Sequence, residues 1–314
     1  MRNKNINKRT TIIAAIATLV VLALALMLWA IYGRNNATTD KEETAKEVVD
    51  TTAICIATLP TLDCLPIFVA HDDSLYSQIW HDFRIKEFSA QMDCDTALIG
   101  GSAQIGFTDV VRAQRMIRKR TPLDFLSSTN LGWKLIANSK TRIREIKDFD
   151  EKLVAISRFS GSDLLSEKSI EDAGIKKEKV FRVQINDFGI RLRMFINNEL
   201  DGVLLPEPFS TEATNLKNKV LADYEKLGFH LGAIVTRTDM MKGKDKQLEA
   251  FIKMYDMAVD SINKNGVQHY RDVIKKYCKV KSSTIDSLQT PVFTHISPVK
   301  ASDVELAQKW LDKH

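Results

Sequence analysis

From residue 53 onward, short apolar runs alternate with stretches whose apolar residues recur at helical spacing. Residues 53–58 read as a buried strand, closed by Leu59-Pro60. Residues 65–79 read as a helix with Leu65, Phe68, Val69, Leu75 and Ile79 along its apolar face. The pattern continues as strand 83–88, helix 92–99, strand 103–107, helix 110–117 and strand 123–127. It then restarts with strand 153–157, helix 162–173 stopped by Gly174, strand 180–185, helix 188–197, strand 202–205 and a helix ending at 216. Two extended apolar stretches, 131–138 and 231–236, bracket this second set, as the paired crossovers of a two-lobed molecule would. From 246 to the end the chain reads as helical. Strands and helices alternating at these lengths predict parallel βαβ units and an α/β fold.

The first 34 residues follow a different rule. Residues 11–32 carry no charge and are nearly all Ala, Ile, Leu, Val, Met or Trp. A helix needs about 20 such residues to cross a hydrocarbon core. Arg2, Lys4, Lys8 and Arg9 precede the run with no acid among them, which favours an N-in orientation with everything after Gly33 outside. Trp29 and Tyr32 fall where an outer interface would lie. An uncleaved anchor is expected, because the run is longer than a signal h-region and lacks a small-x-small cleavage pattern; a cleaved signal peptide is the competing reading. Residues 35–52 are polar and charged and form a linker.

Charge then loses its value as a clue to nucleic acid. Arg34 and the four basic residues before the apolar run account for the whole net charge of +5, and the other 40 Lys and Arg balance 40 Asp and Glu. No basic stripe follows, so neither DNA nor RNA is an expected partner. Cys55, Cys64, Cys94 and Cys278 form no C-x-x-C pair. An oxidising compartment allows a Cys64–Cys94 disulfide; buried thiols are the alternative. His71, His81, His230, His269, His295 and His314 show no metal-ligand spacing. There is no G-x-S-x-G, H-E-x-x-H, Walker or G-x-G-x-x-G motif, so no catalytic residue, metal or cofactor is expected.

In open α/β sheets ligands bind beyond the carboxyl ends of strands. That rule selects Thr61 and Asp63 after the first strand, Gln91 and Asp93 after the second, Thr108 and Asp109 after the third and Ser128 after the fourth. In the second set it selects Ser160-Gly161-Ser162, Asn186-Asp187 and Glu207. Ser160-Gly161-Ser162 precedes a helix, whose free amides suit an anion. A serine there, like any one of these acids, also serves as an ordinary helix cap. Several acids converging on one cleft suit an amine, a cationic ring or several hydroxyls.

Leu59-Pro60-Thr61-Leu62-Asp63, the stretch Ala90-Gln91-Met92-Asp93-Cys94-Asp95-Thr96-Ala97-Leu98-Ile99-Gly100-Gly101 and Thr108-Asp109 resemble the first lobe of ABC-transporter solute-binding proteins serving nitrate, sulfonates, taurine and thiamine precursors. Ser160-Gly161-Ser162, Asp172-Ala173-Gly174-Ile175 and Leu205-Pro206-Glu207-Pro208 resemble their second lobe. The resemblance spans roughly residues 54–311. It implies a type II periplasmic-binding clamp, with residues 53–129 and 231–314 as lobe 1 and 130–230 as lobe 2, closing on a small molecule. It also implies an ABC permease and ATPase as partners and a periplasmic or other extracytoplasmic location. The N-terminal anchor departs from many relatives and keeps a second reading open, a tethered sensor or accessory module without transport. A thiamine-pyrimidine biosynthetic enzyme, known on this fold with a cysteine-rich motif absent here, is a minor alternative.

Overall fold

A computed structural model of the chain describes residues 53–72 and 83–314, together with Ala23 and Met27. The chain divides into a unit of residues 1–51 and a unit of residues 52–314. Of the first, only Ala23 and Met27 are described, both helical and exposed. The expected anchor at 11–32 and linker at 35–52 otherwise lie outside the described residues. Among the described residues no helix is long and apolar enough to cross a membrane.

The second unit is a two-lobed α/β structure built on two five-stranded sheets. The first sheet contains β1 (Ile54–Thr58), β2 (Phe83–Glu87), β3 (Ile105–Asp109), β4 (Leu123–Thr129) and β10 (Gly232–Arg237), in the order β2-β1-β3-β10-β4. The second contains β5 (Trp133–Ala137), β6 (Leu153–Ile156), β7 (Phe181–Gln184), β8 (Gly202–Pro206) and β9 (Lys219–Asp223), in the order β7-β6-β8-β5-β9. The orders are equivalent position by position, with β5 and β10 each standing fourth.

Neither sheet is wholly parallel. β1 runs parallel to β2 and β3, and β6 to β7 and β8, as the βαβ pattern predicts. The two stretches expected as crossovers are themselves strands: β5 lies antiparallel between β8 and β9, and β10 antiparallel between β3 and β4. All six residues of β10 are buried, as in a central strand covered on both faces. The actual crossings are short, Asn130-Leu131-Gly132 between β4 and β5, and residues 224–231 between β9 and β10.

Helices α1 (Leu65–Asp72), α2 (Gln91–Ile99), α3 (Val110–Arg118), α4 (Gly161–Asp172), α5 (Phe188–Ile196) and α6 (Phe209–Asn215) follow strands or short turns. Three begin on side-chain caps at strand ends. Asp109 accepts from the Arg112 amide, Ser160 from the Ser162 amide and Asp187 from the Ile190 amide. Each cap satisfies an amide that the first turn leaves free and is worth about 1 kcal/mol. Four further helices follow, α7 (Asp245–Asn265), α8 (Arg271–Cys278), α9 (Ser282–Ser287) and α10 (Ala301–Leu311). In α7, Phe251, Met254, Tyr255, Ala258, Val259 and Ile262 are buried at helical spacing, and the helix stops at Gly266, whose φ of 79° needs glycine. Phe68 of α1 stacks on Tyr277 of α8 at 4.1 Å. Trp133, Phe188 and Phe209 meet in the second lobe, with centroids 5.7 and 5.9 Å apart in turn. All four cysteines are free thiols, so the Cys64–Cys94 disulfide is not formed; both side chains are buried, and Cys94 donates to the Phe107 carbonyl.

Candidate ligand cleft

The carboxyl ends of β1–β3 and of β6–β8 carry the residues that join the two lobes. At the centre stands Asp109, the last residue of β3, with no exposed surface. Its Oδ1 accepts from the Arg112 amide at 3.0 Å and from the Gly161 amide, on the second lobe, at 2.9 Å. Its Oδ2 accepts from Gln91 Nε2 at 2.8 Å. The N-terminus of α4, where the sequence suggests a seat for an anion, is therefore filled by the protein's own carboxylate. A Cβ added at Gly161 would make ordinary contacts with Asp109 Cγ at 3.5 Å and Trp133 Nε1 at 3.4 Å, and a tighter one with Leu231 Cδ1 at 3.3 Å.

The neighbouring serines are turned inward. Ser162 donates its amide to Ser160 Oγ at 3.1 Å, the two hydroxyls lie 2.8 Å apart, and Ser160 donates to the Ser157 carbonyl at 2.7 Å. Both are fully buried. Burial pushes the Asp109 carboxyl up to about 6, against the pull of the nearby Arg112 guanidinium. Arg112 is held in place by an ion pair with Asp95 and reaches the Arg158 carbonyl of the second lobe at 3.4 Å.

A second junction forms where the Leu62 amide donates to the Glu207 carbonyl at 2.9 Å. Glu207 places Oε1 2.5 Å from Lys134 Nζ, and its Oε2 accepts from the Thr211 amide at 3.1 Å. Asp63, 3% exposed, accepts from the Thr129 hydroxyl at 3.0 Å on Oδ2, while Oδ1 has no partner of hydrogen-bonding geometry. Burial raises its carboxyl above the ordinary value, opposed by the hydroxyls of Thr61 and Thr129. Thr61 itself is buried, with its hydroxyl 3.7 Å from Cys64 Sγ.

A third junction is the antiparallel bridge between Ala90 and Asp187, with Asn186 Nδ2 3.9 Å from Met92 Sδ. Thr108 is buried beside Asp109 in β3. Asp93 stands apart, exposed on the first turn of α2, whereas Ser128, tied to Ser297 by its amide and hydroxyl, lines a further cavity with Asn130 and Glu225.

Two cavities flank the central contact. One, about 330 Å³, has Asp63 and Phe293 from the first lobe, Lys134, Glu207 and Glu225 from the second, and the crossing Asn130-Leu131-Gly132 between them. The other, about 400 Å³, lies between Pro60, Phe88 and Ser89 on one side and Asp187, Arg193 and Phe209 on the other. Such volumes fall at the small end of ligand pockets, about 300–1,000 Å³. Among the described residues no group of three or more His, Cys, Asp or Glu is arranged to hold a metal ion.

Lys134, Asn130, Glu225 and Arg191 escaped the strand-end rule. Lys134 sits inside a strand, Asn130 and Glu225 in the crossings, and Arg191 in a helix. Arg191 is fully buried and donates to the Ile185 carbonyl, the Leu204 carbonyl and Ser157 Oγ, so one guanidinium holds the ends of the second lobe's strands together. The lone Lys in the apolar run Trp-Lys-Leu-Ile-Ala was a visible signal; a charged turn around Glu225 was not, since such turns are ordinarily solvated.

No family model matches the chain, and no curated protein matches it in sequence. Solved structures do match in fold. The periplasmic aliphatic sulphonate-binding protein SsuA from Escherichia coli superposes with a TM-score of 0.69 at 18% identity, over 83% of this chain and 86% of that one. The alkanesulfonate-binding protein SsuA from Xanthomonas axonopodis pv. citri, bound to MOPS, gives 0.69 at 16%, over 83% and 92%. The periplasmic nitrate-binding protein NrtA from Synechocystis PCC 6803 gives 0.65 at 11%, over 75% and 69%. This chain shares their fold. The expected α/β two-lobed architecture stands, with mixed rather than parallel sheets.

Proposed function

We propose that the chain is an extracytoplasmic solute-binding protein that captures a small molecule between its lobes and presents it to an ABC-type permease and ATPase. Residues 53–129 and 231–314 form one lobe and 130–230 the other, a division supported by the membership of the strands in the two sheets. Residues 11–32 tether the clamp to the inner membrane with the binding domain outside, a reading supported by their uninterrupted apolar run and basic flank.

One observation carries this reading. Strand-end polar residues of both lobes meet across a single seam, at Asp109 and Gly161 and at Leu62 and Glu207, with ligand-sized cavities on either side. The lobes are joined by short crossings, so a ligand touching both walls favours closure by its differential contacts. The similar structures are of binding proteins, which supports binding over catalysis here. Asp63 and Glu207 in one cavity and Asp187 in the other are the proposed walls, and Asp109, Ser160 and Ser162, expected in the walls from the sequence, form the buried contact between the cavities.

The test is a thermal-shift screen of the detergent-solubilised full chain against sulfonates, oxyanions, pyrimidines and amines. A ligand at 100 times its dissociation constant adds about 2.7 kcal/mol to stability. At least one compound is expected to raise the melting temperature, and deletion of the gene to lower uptake of that compound. No shift from any class would sink the clamp reading; a shift with unchanged uptake would favour a tethered sensor.

A further inference from the structure

The cavity beside Asp63 and Glu207 has a chemical bias that the fold alone does not dictate. Two residues of its wall each carry a buried oxygen with no hydrogen-bond partner, Oδ1 of Asp63 and Oδ1 of Asn130. Both only accept hydrogen bonds in the ionised carboxylate and the amide respectively. The Asn130 amide nitrogen is already committed to the Val292 carbonyl at 3.0 Å, which fixes its oxygen as the free end. A buried acceptor without a donor costs about 1–3 kcal/mol, so each is a standing demand for an N–H or O–H.

Charge points the same way. The wall holds four carboxylates, Asp63, Glu207, Asp223 and Glu225, against two ammoniums, Lys134 and Lys226. Both lysines are engaged, Lys134 with Glu207 at 2.5 Å and Lys226 with Asp223 at 3.6 Å. Asp63 and Glu225 have no ion-pair partner among the described residues. The carboxyl of Glu225 is raised by burial and then by Asp223, with His230 and Lys134 opposing and Glu207 adding to the rise. An anion would find no uncommitted cation in this wall, and the N-terminus of α6 that begins beside it is already occupied by Glu207, which accepts from the Thr211 amide.

We propose that this cavity takes a small organic ammonium ion, its N–H groups received by Asp63 and Asn130 and its charge balanced by Asp63 and Glu225. The proposal rests on the solute-binding reading and adds the class of solute. Leu62, Leu131, Pro291 and Phe293 in the same wall would cover the carbon part of such a molecule.

The full chain in detergent is titrated with 1,4-diaminobutane, ethanolamine and choline, and in parallel with ethanesulfonate and 1,4-butanediol. At least one amine is expected to bind and raise the melting temperature, with the sulfonate and the diol inert. Asp63→Asn, which keeps shape but removes charge, is expected to weaken amine binding about 10- to 150-fold, the range for a charged hydrogen bond. Glu225→Gln, at a residue in the crossing between β9 and β10, provides an independent loss should Asp63→Asn fail to fold. Glu87→Gln, in the wall of the other cavity, is expected to leave binding unchanged. Binding of the sulfonate in place of the amines would overturn the ligand class and leave the clamp reading intact. Amine binding abolished by Glu87→Gln and untouched by Asp63→Asn and Glu225→Gln would overturn the site. Silence from these compounds and from the wider screen would overturn both readings.

Discussion

Asp109 combines roles that the sequence presents one at a time. It ends β3, caps α3 and accepts from an amide 52 residues away on the other lobe. Only the first two follow from local spacing, because a cap is reached within three residues while a partner across the seam depends on the whole fold. Its titration gives a prediction with a definite sign. Burial raises the folded-state value from 3.8 to about 6, so between those values the folded protein holds more protons than the unfolded chain. Stability contributed by this group is therefore full below about pH 4 and is lost as pH rises through 6, by about 3 kcal/mol for a shift of about two units. Chemical denaturation from pH 4 to 7 should show a steeper downward slope in the native protein than in Asp109→Asn, where the other buried carboxyls still contribute. Parallel curves for the two proteins would refute it.

Among the elements, the two crossover strands were legible as extended apolar stretches but not as sheet members. Periodicity identifies a strand without naming its neighbours, and β5 and β10 find theirs through distant pairings, Lys134 with Leu205 71 positions away and Gly232 with Asp109 123 positions away. The β9 strand went unread because Lys-Val-Leu-Ala-Asp lies at a sheet edge, is largely exposed and shows no clean alternation. The strand expected at 103–107 begins instead at Ile105, although Gln104 still donates its amide to the Cys55 carbonyl and accepts from the Arg237 amide. Gly232, at the entrance to β10, tests how tightly this junction is packed. A Cβ there would lie 2.6 Å from Leu131 Cβ and 3.0 Å from the Leu131 amide nitrogen, both parts of the crossing that cannot swing aside. Gly232→Ala should cost about 1–3 kcal/mol of unfolding free energy. Gly189→Ala, in the first turn of α5 with its closest contact at 3.3 Å, should cost far less. Equal effects would show that the crossing yields to the added methyl.

For the molecule as a whole, the proposed tether and the proposed clamp make separable demands. The protein should remain in the membrane pellet through a high-salt wash, and a reporter active only outside the cytoplasm should work when fused at His314. Release of a shortened soluble species would instead indicate cleavage after the apolar run. Neither result bears on the cleft, whose residues all lie in the unit from Thr52 onward.

The alternation of strands and helices, the restart of the pattern after residue 150 and the candidacy of Asp109, Ser160 and Asp187 as helix caps could all be read from the chain before any fold was known. These depend on side-chain periods and on contacts within one helical turn, which are local. It took the assembled fold to show that β5 and β10 enter their sheets antiparallel, that Asp109 fills the N-terminus of α4, and that Asp63 and Asn130 keep unmet acceptors in the cavity that Glu225 also lines. Each of those outcomes depends on residues far apart in the chain meeting at one seam, and their hydrogen-bonding needs become visible only once both walls are in place.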